Sequence, residues 1–174
     1  MIPMTLKLAD KMKIEGESLL KGYEKQIDIE RLDHGVSMPM VSDKSSNSRT
    51  SGRCKHEDFT CLMRMNKAYP KLVEACAKGT NLGKAEVALV KMSEGKISEV
   101  AKYALTDVYV AAVSLIPCPQ TDGSVSSSES GDTSLPWIRF RLNYQSIAVT
   151  YNEYDSTGAS KGAVSCDAIT GLGA

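Results

Sequence analysis

The sequence lacks the features that mark several large classes of protein. Its 21 basic and 21 acidic residues cancel, so no overall positive field favours binding to nucleic acid or to an anionic membrane. The most apolar window, residues 108–117, is about half as long as the ~20 residues that a membrane-spanning helix needs. We therefore expect neither a nucleic-acid partner nor insertion into a membrane.

The amino terminus also lacks the pattern of a secretory signal. The first residues, MIPMTLKLADKMK, contain no basic segment ahead of an apolar core, and Lys7 interrupts the only apolar run. The five cysteines are an odd number at irregular spacings, which argues against a disulfide framework. We expect a protein that is made in the cytoplasm with reduced thiols.

One stretch suggests a metal site at first sight. Cys54, His56 and Cys61 lie within a few residues of each other, together with two acids. In a strand, Cys54 and His56 would share a face, but Cys61 is an odd number of residues beyond His56 and would point to the opposite face. A closed zinc site also needs a fourth ligand, and the usual C-x₂₋₄-C pair is missing. We expect no metal and no other cofactor.

Catalytic patterns are missing as well. The chain has no G-x-S-x-G elbow, and residues 158–162 (GASKG) lack the frame of a phosphate loop. We interpret this segment as a turn between a strand and the tail. Glu15 and Glu17 flank a glycine, as in an exposed turn. No pattern supports an enzyme, and a hydrolase using Cys61 or Cys76 is kept only as an alternative.

Alternation of apolar and polar residues, the signal of β-strands, dominates the chain. Only residues 70–78 (PKLVEACAK) have helical spacing, with Pro70 suited to the first turn and Gly79 to the C-cap. Two segments rich in Ser, Gly and Asp, 41–52 and 119–134, are predicted to be loops. Strands are predicted at 4–8, 26–31, 84–92, 138–142 and 147–151. The pattern and length predict one mainly β domain with one short helix.

The predicted QIDIER strand contains a change of phase. Ile27 and Ile29 alternate, but the next apolar residue, Leu32, follows three residues later. A β-bulge would produce this slip. Leu32 is then expected to face the core, while Arg31 and Asp33 face outward.

Six short motifs follow one another along nearly the whole chain. They are IEGES, QIDIERLDHG, S/T-G-R-C-x-H-x-D-F, YPKLVEACAKGT, YALTDVYVAAVS and RLNYQSIAVTYNEYDSTGASKGA. Each is short, but in this order they resemble the Hcp (haemolysin-coregulated protein) family of type VI secretion. Two places depart from the family: Ala148 and Val149 stand where many relatives have Glu-Trp, and Cys166 stands where an aromatic residue is common.

The resemblance implies a small two-sheet β-barrel with one short flanking helix, and a structural protein rather than an enzyme. It implies a homohexameric ring that stacks into the inner tube of a contractile injection machine, next to sheath and tip proteins. Such rings carry small effectors and are secreted to the medium or a target cell without a signal peptide. A monomeric ligand-binding β-barrel would show similar alternation and is the alternative.

The resemblance also implies two functional surfaces. The family places the strand near residue 30 on the inner wall of the ring, so Arg31 and Asp33 are expected to face the lumen and contact cargo. The alternative is that they are two solvated surface charges. In the family an extended loop reaches the neighbouring ring, and residues 41–52 occupy that place. Its charged residues, which are the expected stacking contacts, are Asp43, Lys44 and Arg49.

Overall fold

The computed structural model describes residues 2–8, 11–43, 48–51, 53–93, 96–116, 135–154 and 160–170. In these residues it contains thirteen strands and one helix. The strands are β1 (Met4–Leu8), β2 (Ile27–Ile29), β3 (Arg31–Asp33), β4 (Val36–Ser37), β5 (Met40–Asp43), β6 (Ser48–Ser51), β7 (Lys55–His56), β8 (Phe59–Arg64), β9 (Asn81–Ser93), β10 (Lys96–Ile116), β11 (Trp137–Asn143), β12 (Ser146–Tyr154) and β13 (Ser160–Ile169). The helix, α1, spans Tyr69–Lys78.

Nine of these strands form one antiparallel sheet that curls around a core. The order is β2-β1-β9-β10-β11-β8-β3. In addition, β12 pairs with β10, and β13 pairs with β12. In the described residues the hydrogen-bonded ladder is not closed, but its two ends, β2 and β3, are separated only by Glu30. The Glu30 amide donates to the Leu62 carbonyl at 2.8 Å. The continuous chain therefore links both ends of the sheet in a small barrel-like fold.

The longest strand, β10, pairs with three other strands of the sheet. Along one edge it pairs with β9, and along the other it pairs first with β12 and then with β11. Its pairing shifts register near Ala101, Val108 and Ala112, and Asp107 has a positive φ of 50°. Such bulges bend a strand, so β10 can follow the curl of the sheet and pair with β12 and β11 in turn.

The core lies inside the curled sheet and beneath α1. Leu72 and Ala75 of the helix are buried against it, and Gly79 ends the helix with φ 59° in the left-handed C-cap. Within the described part of the chain, no helix is long and apolar enough to cross a membrane. The fully buried side chains of largest volume are Phe59, Phe140, Leu6, Ile27, Met63, Leu72, Leu82, Leu105, Ile138, Leu142, Val87 and Val90.

Several predictions of structure are confirmed. The helix begins one residue earlier than expected, and the predicted strands correspond to β1, β2, β9, β11 and β12. The change of phase near residue 30 is also present: β2 ends at Ile29 and β3 begins at Arg31. Leu32 packs against the core, while Arg31 and Asp33 are exposed.

Three local predictions are wrong. Residues 41–52 are not simply a loop, because β5 pairs with β6. The segment from Ser160 onwards is not a turn and tail but strand β13, paired with β12. The IEGES stretch is not an exposed turn, because Gly16 and Ser18 are buried and the Gly16 amide donates to the Lys25 carbonyl at 2.7 Å. The predicted loop 119–134 lies outside the described residues.

Candidate assembly and cargo surfaces

One outward face of the barrel is rich in arginine. It is formed by alternate residues of β3, β8, β11 and the last third of β10, and we call it the arginine face. The strand register places Arg31 opposite Leu62, Leu62 opposite Arg139, and Arg139 opposite Ser114. The residues of the arginine face are Arg31, Asp33, Thr60, Leu62, Arg64, Ala112, Ser114, Trp137, Arg139 and Arg141.

The two predicted cargo residues lie together on the arginine face. Arg31 Nε lies 3.0 Å from Asp33 Oδ2. Their side chains are 71% and 56% exposed, so solvent screens the pair and it adds little to stability. The structure thus brings the two charges together at the edge of a larger charged surface.

Sequence reasoning missed the other three arginines of this face. The guanidinium carbon of Arg64 lies 3.8 Å from the centre of the Trp137 ring, a cation–π geometry that holds both side chains in place. Arg139 and Arg141 are exposed between buried residues of β11. The alternation of IRFRL, which predicted the strand, already contained the signal that both arginines share its outer face.

The strands β4 to β7 form a second candidate surface, which we call the arm. β4 pairs with β7, and β5 pairs with β6, in two small sheets. Val36, Met38 and Met40 follow at every second position and are 54%, 49% and 62% exposed. Val36 lies in β4, Met40 lies in β5 and Met38 lies in the segment between them, and we call these three exposed side chains the apolar stripe of the arm.

The predicted stacking residues lie at the far end of the arm. Asp43 is opposite Ser48, and Arg49 is opposite Ser42. Lys44, the third predicted stacking residue, lies outside the described residues. The backbone register therefore places two of the three residues in the last pairs of one short hairpin.

The strands β12 and β13 form a third surface, which we call the flap. Every side chain described from Lys161 to Asp167 is exposed. Large apolar residues of the flap are also exposed, and Val164 is the most exposed of them at 74%. Among the described residues, β13 has a paired strand on only one edge. Ala148 and Val149 pair with Asp167 and Cys166, so both departures from the family pattern lie in the flap.

The metal-like stretch is divided among different environments. Cys54 precedes β7, His56 lies in β7, and Cys61 is buried in β8. Burial, with a smaller effect of the Asp33 carboxylate, raises the pKa of the Cys61 thiol to about 12. Across the residues described, no three His, Cys, Asp or Glu side chains are grouped as metal ligands. The buried Cys61 thiol, with its raised pKa, is not a nucleophile at neutral pH.

His56 instead belongs to an aromatic cluster around Tyr144. The Tyr144 hydroxyl lies 2.7 Å from His34 Nε2 and 3.2 Å from His56 Nδ1. The His34 ring stacks on Phe59 with centroids 4.3 Å apart. The cluster joins the base of the arm to the turn between β11 and β12, and so fixes the position of the arm relative to the barrel.

Packed side chains occupy the centre of the barrel. Phe59, Met63 and Phe140 are fully buried there. Small barrels that bind ligands hold them at this position, whereas others fill it with side chains. Described side chains therefore fill the position at which a ligand-binding barrel holds its ligand.

Comparison with known proteins identifies the family. Residues 5–151 match the family model of the type VI secretion system effector Hcp. Among solved structures, a type six secretion system protein is 20% identical, with a TM-score of 0.78 and coverage of 94% of this chain and 92% of that chain. No curated protein sequence matches the chain.

Two named structures share the fold. Hcp1 of E. coli EAEC 042, solved as a double mutant, is 22% identical with a TM-score of 0.69, covering 95% of this chain and 98% of that one. Hcp1 of Salmonella typhimurium is 18% identical with a TM-score of 0.69, covering 97% and 95%. Since the family model spans most of the chain, and the fold agrees, the protein belongs to the Hcp family of type VI secretion system effectors.

Proposed function

We propose that the chain is one subunit of a homohexameric ring, and that these rings stack into the inner tube of a type VI secretion machine. The flap is the observation that carries this proposal. A ten-residue strand that is exposed on both faces, with one edge unpaired among the described residues, gains hydrogen bonds and apolar burial from a neighbouring chain. In a ring, that neighbour is another copy.

The arm supports the stacking part of the proposal. Its apolar stripe of Val36, Met38 and Met40 is exposed in the single chain, and contact with the next ring would remove this apolar surface from water. Shortening the hairpin β5–β6, with its Asp43 and Arg49, should leave rings intact and reduce tube formation in electron micrographs. Loss of the ring itself would contradict this role.

The arginine face supports the lumen part of the proposal. Arg31 and Asp33 would face the lumen, where sixfold symmetry repeats each charge around the wall. Asp33→Lys should change which effectors co-purify with rings of unchanged mass, because an exposed charge change typically costs less than ~0.5 kcal/mol. An unchanged set of effectors on intact rings would remove Asp33 from the cargo contact.

The proposal also defines where the protein acts. The subunit is made in the cytoplasm, assembles beside the sheath and tip proteins, and is expelled with its cargo to the medium or a target cell. Its role is structural, and the raised pKa of the buried Cys61 thiol argues against a hydrolase that uses this residue.

The decisive measurement is the mass in solution. Light scattering at tens of micromolar should give about six times the 18.8 kDa of one chain. Val164→Glu in the flap should give monomers with an unchanged circular dichroism spectrum. Leu19→Glu is the matched control, because Leu19 is 94% exposed outside the flap, and it should keep the ring. A stable wild-type monomer would contradict the proposal and favour the ligand-binding barrel.

A further inference from the structure

Two neighbouring arginines of the arginine face border a shallow hollow. Arg139 and Arg141 lie two residues apart on β11, and both are exposed. Their partners on β10 are the small residues Ser114 and Ala112, and Thr60 of β8 is opposite Arg141. These five residues line a hollow of about 400 Å³. Small side chains on both sides leave the guanidinium groups room to reach a bound group.

These two arginines differ from the other arginines of the arginine face in their contacts. Among the described residues, neither Arg139 nor Arg141 has a carboxylate within the 4.0 Å of an ion pair, whereas Arg31 is paired with Asp33. Arg64 lies over the ring of Trp137. As far as the described residues show, the two guanidinium groups of the hollow are therefore the arginine-face cations without a carboxylate or aromatic partner.

The surrounding acids have their own contacts. Asp58 accepts a hydrogen bond from Asn143 Nδ2 at 2.9 Å, and the Glu57 carboxylate lies beside Gly35. With Asp33 and Arg141, both acids line a second hollow of about 400 Å³. The arginine face is therefore positive at the hollow beside β10 and negative towards the arm.

This arrangement has the chemistry of a carboxylate site. A guanidinium binds a carboxylate through two parallel N–H···O bonds, with a geometry that a lysine cannot reproduce. The hydroxyl groups of Ser114 and Thr60 border the same space and can donate further hydrogen bonds to an anion.

We propose that the hollow between Arg139 and Arg141 binds aspartate and glutamate side chains of the carried protein, so that the cargo surface facing it is acidic. This inference rests on the proposed lumen position of the arginine face. A protein surface can present isolated carboxylates to the hollow and basic groups to Asp33, Glu57 and Asp58. A nucleic-acid backbone carries a charge at every phosphate and would be repelled by those three acids.

The test uses assembled wild-type rings and three double variants. Arg139→Gln with Arg141→Gln removes both charges, and Arg139→Lys with Arg141→Lys keeps the charges but loses the two-pronged geometry. Lys84→Gln with Lys91→Gln is the control, since it removes the same charge from exposed positions of β9. Light scattering establishes the ring mass of each sample before binding is measured.

Binding is measured by fluorescence anisotropy at low and moderate salt. The three probes are a fluorescent Glu-Gly repeat peptide, the matching Gln-Gly peptide, and a single-stranded oligonucleotide of similar length. The Glu-Gly peptide should bind to wild-type rings, and its affinity for the glutamine variant should be lower by at least about tenfold. The lysine variant should lie between the two, and the control should match wild type.

Two results would overturn the inference. The first is that the glutamine variant binds the Glu-Gly peptide as tightly as wild type does. The second is that wild type binds the oligonucleotide more tightly than the Glu-Gly peptide, and that the glutamine variant no longer binds the oligonucleotide. The ring mass separates this inference from the proposed function. A wild-type monomer that still binds the acidic peptide through Arg139 and Arg141 contradicts the ring and supports the carboxylate site.

Discussion

The hydroxyl oxygen of Tyr144 lies between two imidazoles, 2.7 Å from His34 Nε2 and 3.2 Å from His56 Nδ1. A phenol has one O–H, so it donates to one imidazole and accepts an N–H from the other. Burial, the Asp58 carboxylate and the Cys54 thiol raise the pKa of Tyr144 to about 12. The phenol therefore stays protonated throughout the neutral range, and the arm remains hydrogen-bonded to the barrel.

Removing the Tyr144 hydroxyl should destabilise the fold. Tyr144→Phe leaves two imidazole nitrogens without their partner, so we expect the free energy of unfolding to fall by about 1–2 kcal/mol. Urea denaturation measures this change. Tyr69→Phe is the control, because Tyr69 lies in α1 outside the flap and its hydroxyl has no hydrogen-bond partner among the described residues, and it should have little effect. Equal stability of Tyr144→Phe and wild type would show that water replaces the hydroxyl without cost.

Stability should decrease in mildly acidic solution because of His34. Burial, and secondarily the charge of His56, lower the pKa of His34 below its usual 6.5, while Glu57 opposes the shift. The unfolded chain therefore binds this proton at higher pH than the native protein does. The contribution of His34 is complete above the unfolded pKa and is lost as the pH falls through the folded pKa.

Denaturation at about pH 7.5 and about pH 5 tests this dependence. Wild type should lose stability between the two pH values, and His34→Asn should lose less, because it has no imidazole to protonate. The same loss of stability in both proteins would assign the pH dependence to other groups.

Gly16 should tolerate no side chain. A Cβ at this position would lie 2.1 Å from the backbone carbonyl oxygen of Gln26, so the two backbone segments would have to separate. We expect Gly16→Ala to cost about 3 kcal/mol or more, beyond the usual range for overpacking. At Gly35, the atoms nearest to a Cβ would be those of the Glu57 carboxylate, at 2.8 Å, and this side chain can rotate away. Gly35→Ala should therefore cost less than about 1 kcal/mol in the same denaturation experiment.

Cysteine reactivity should follow burial. The Cys61 thiol is buried, with its pKa raised to about 12, so iodoacetamide should modify it only when the barrel unfolds. Cys76 of α1 is partly exposed and should react in the native protein. Peptide mass spectrometry across a urea series separates the two rates. Rapid modification of Cys61 in the native state would revive a role for it as a nucleophile.

The strands that could be predicted are those with one buried face. The sequences of β11 and β1 alternate between apolar and polar residues because alternate side chains contact the core. The change of phase at Glu30 was visible for the same reason. Arg31 and Asp33 were correctly expected to point outward, since Leu32 had to point in.

The strands that could not be predicted lack this contact or interrupt it. The flap strand β13 is exposed on both faces, so no core selects its residues. The register shifts of β10 break its alternation and conceal a strand of 21 residues. The hollow between Arg139 and Arg141 depends on the small partners Ser114 and Ala112, whose pairing with β11 requires the register of distant segments.

The link through Glu30 between the two ends of the sheet determines when this protein can fold during synthesis. β2 and β3 are made early, but β3 is bonded to β8, and among the described strands β8 joins the rest of the sheet by its ladder with β11. β11 spans Trp137–Asn143, so the strand ladder that joins the two halves forms only after most of the chain has been translated, although the Glu30 amide can bond to the Leu62 carbonyl earlier. Non-local pairing of this kind is slow to form. A ribosome stalled before β11 would therefore hold a chain with exposed strand edges, a substrate for chaperones rather than for ring assembly.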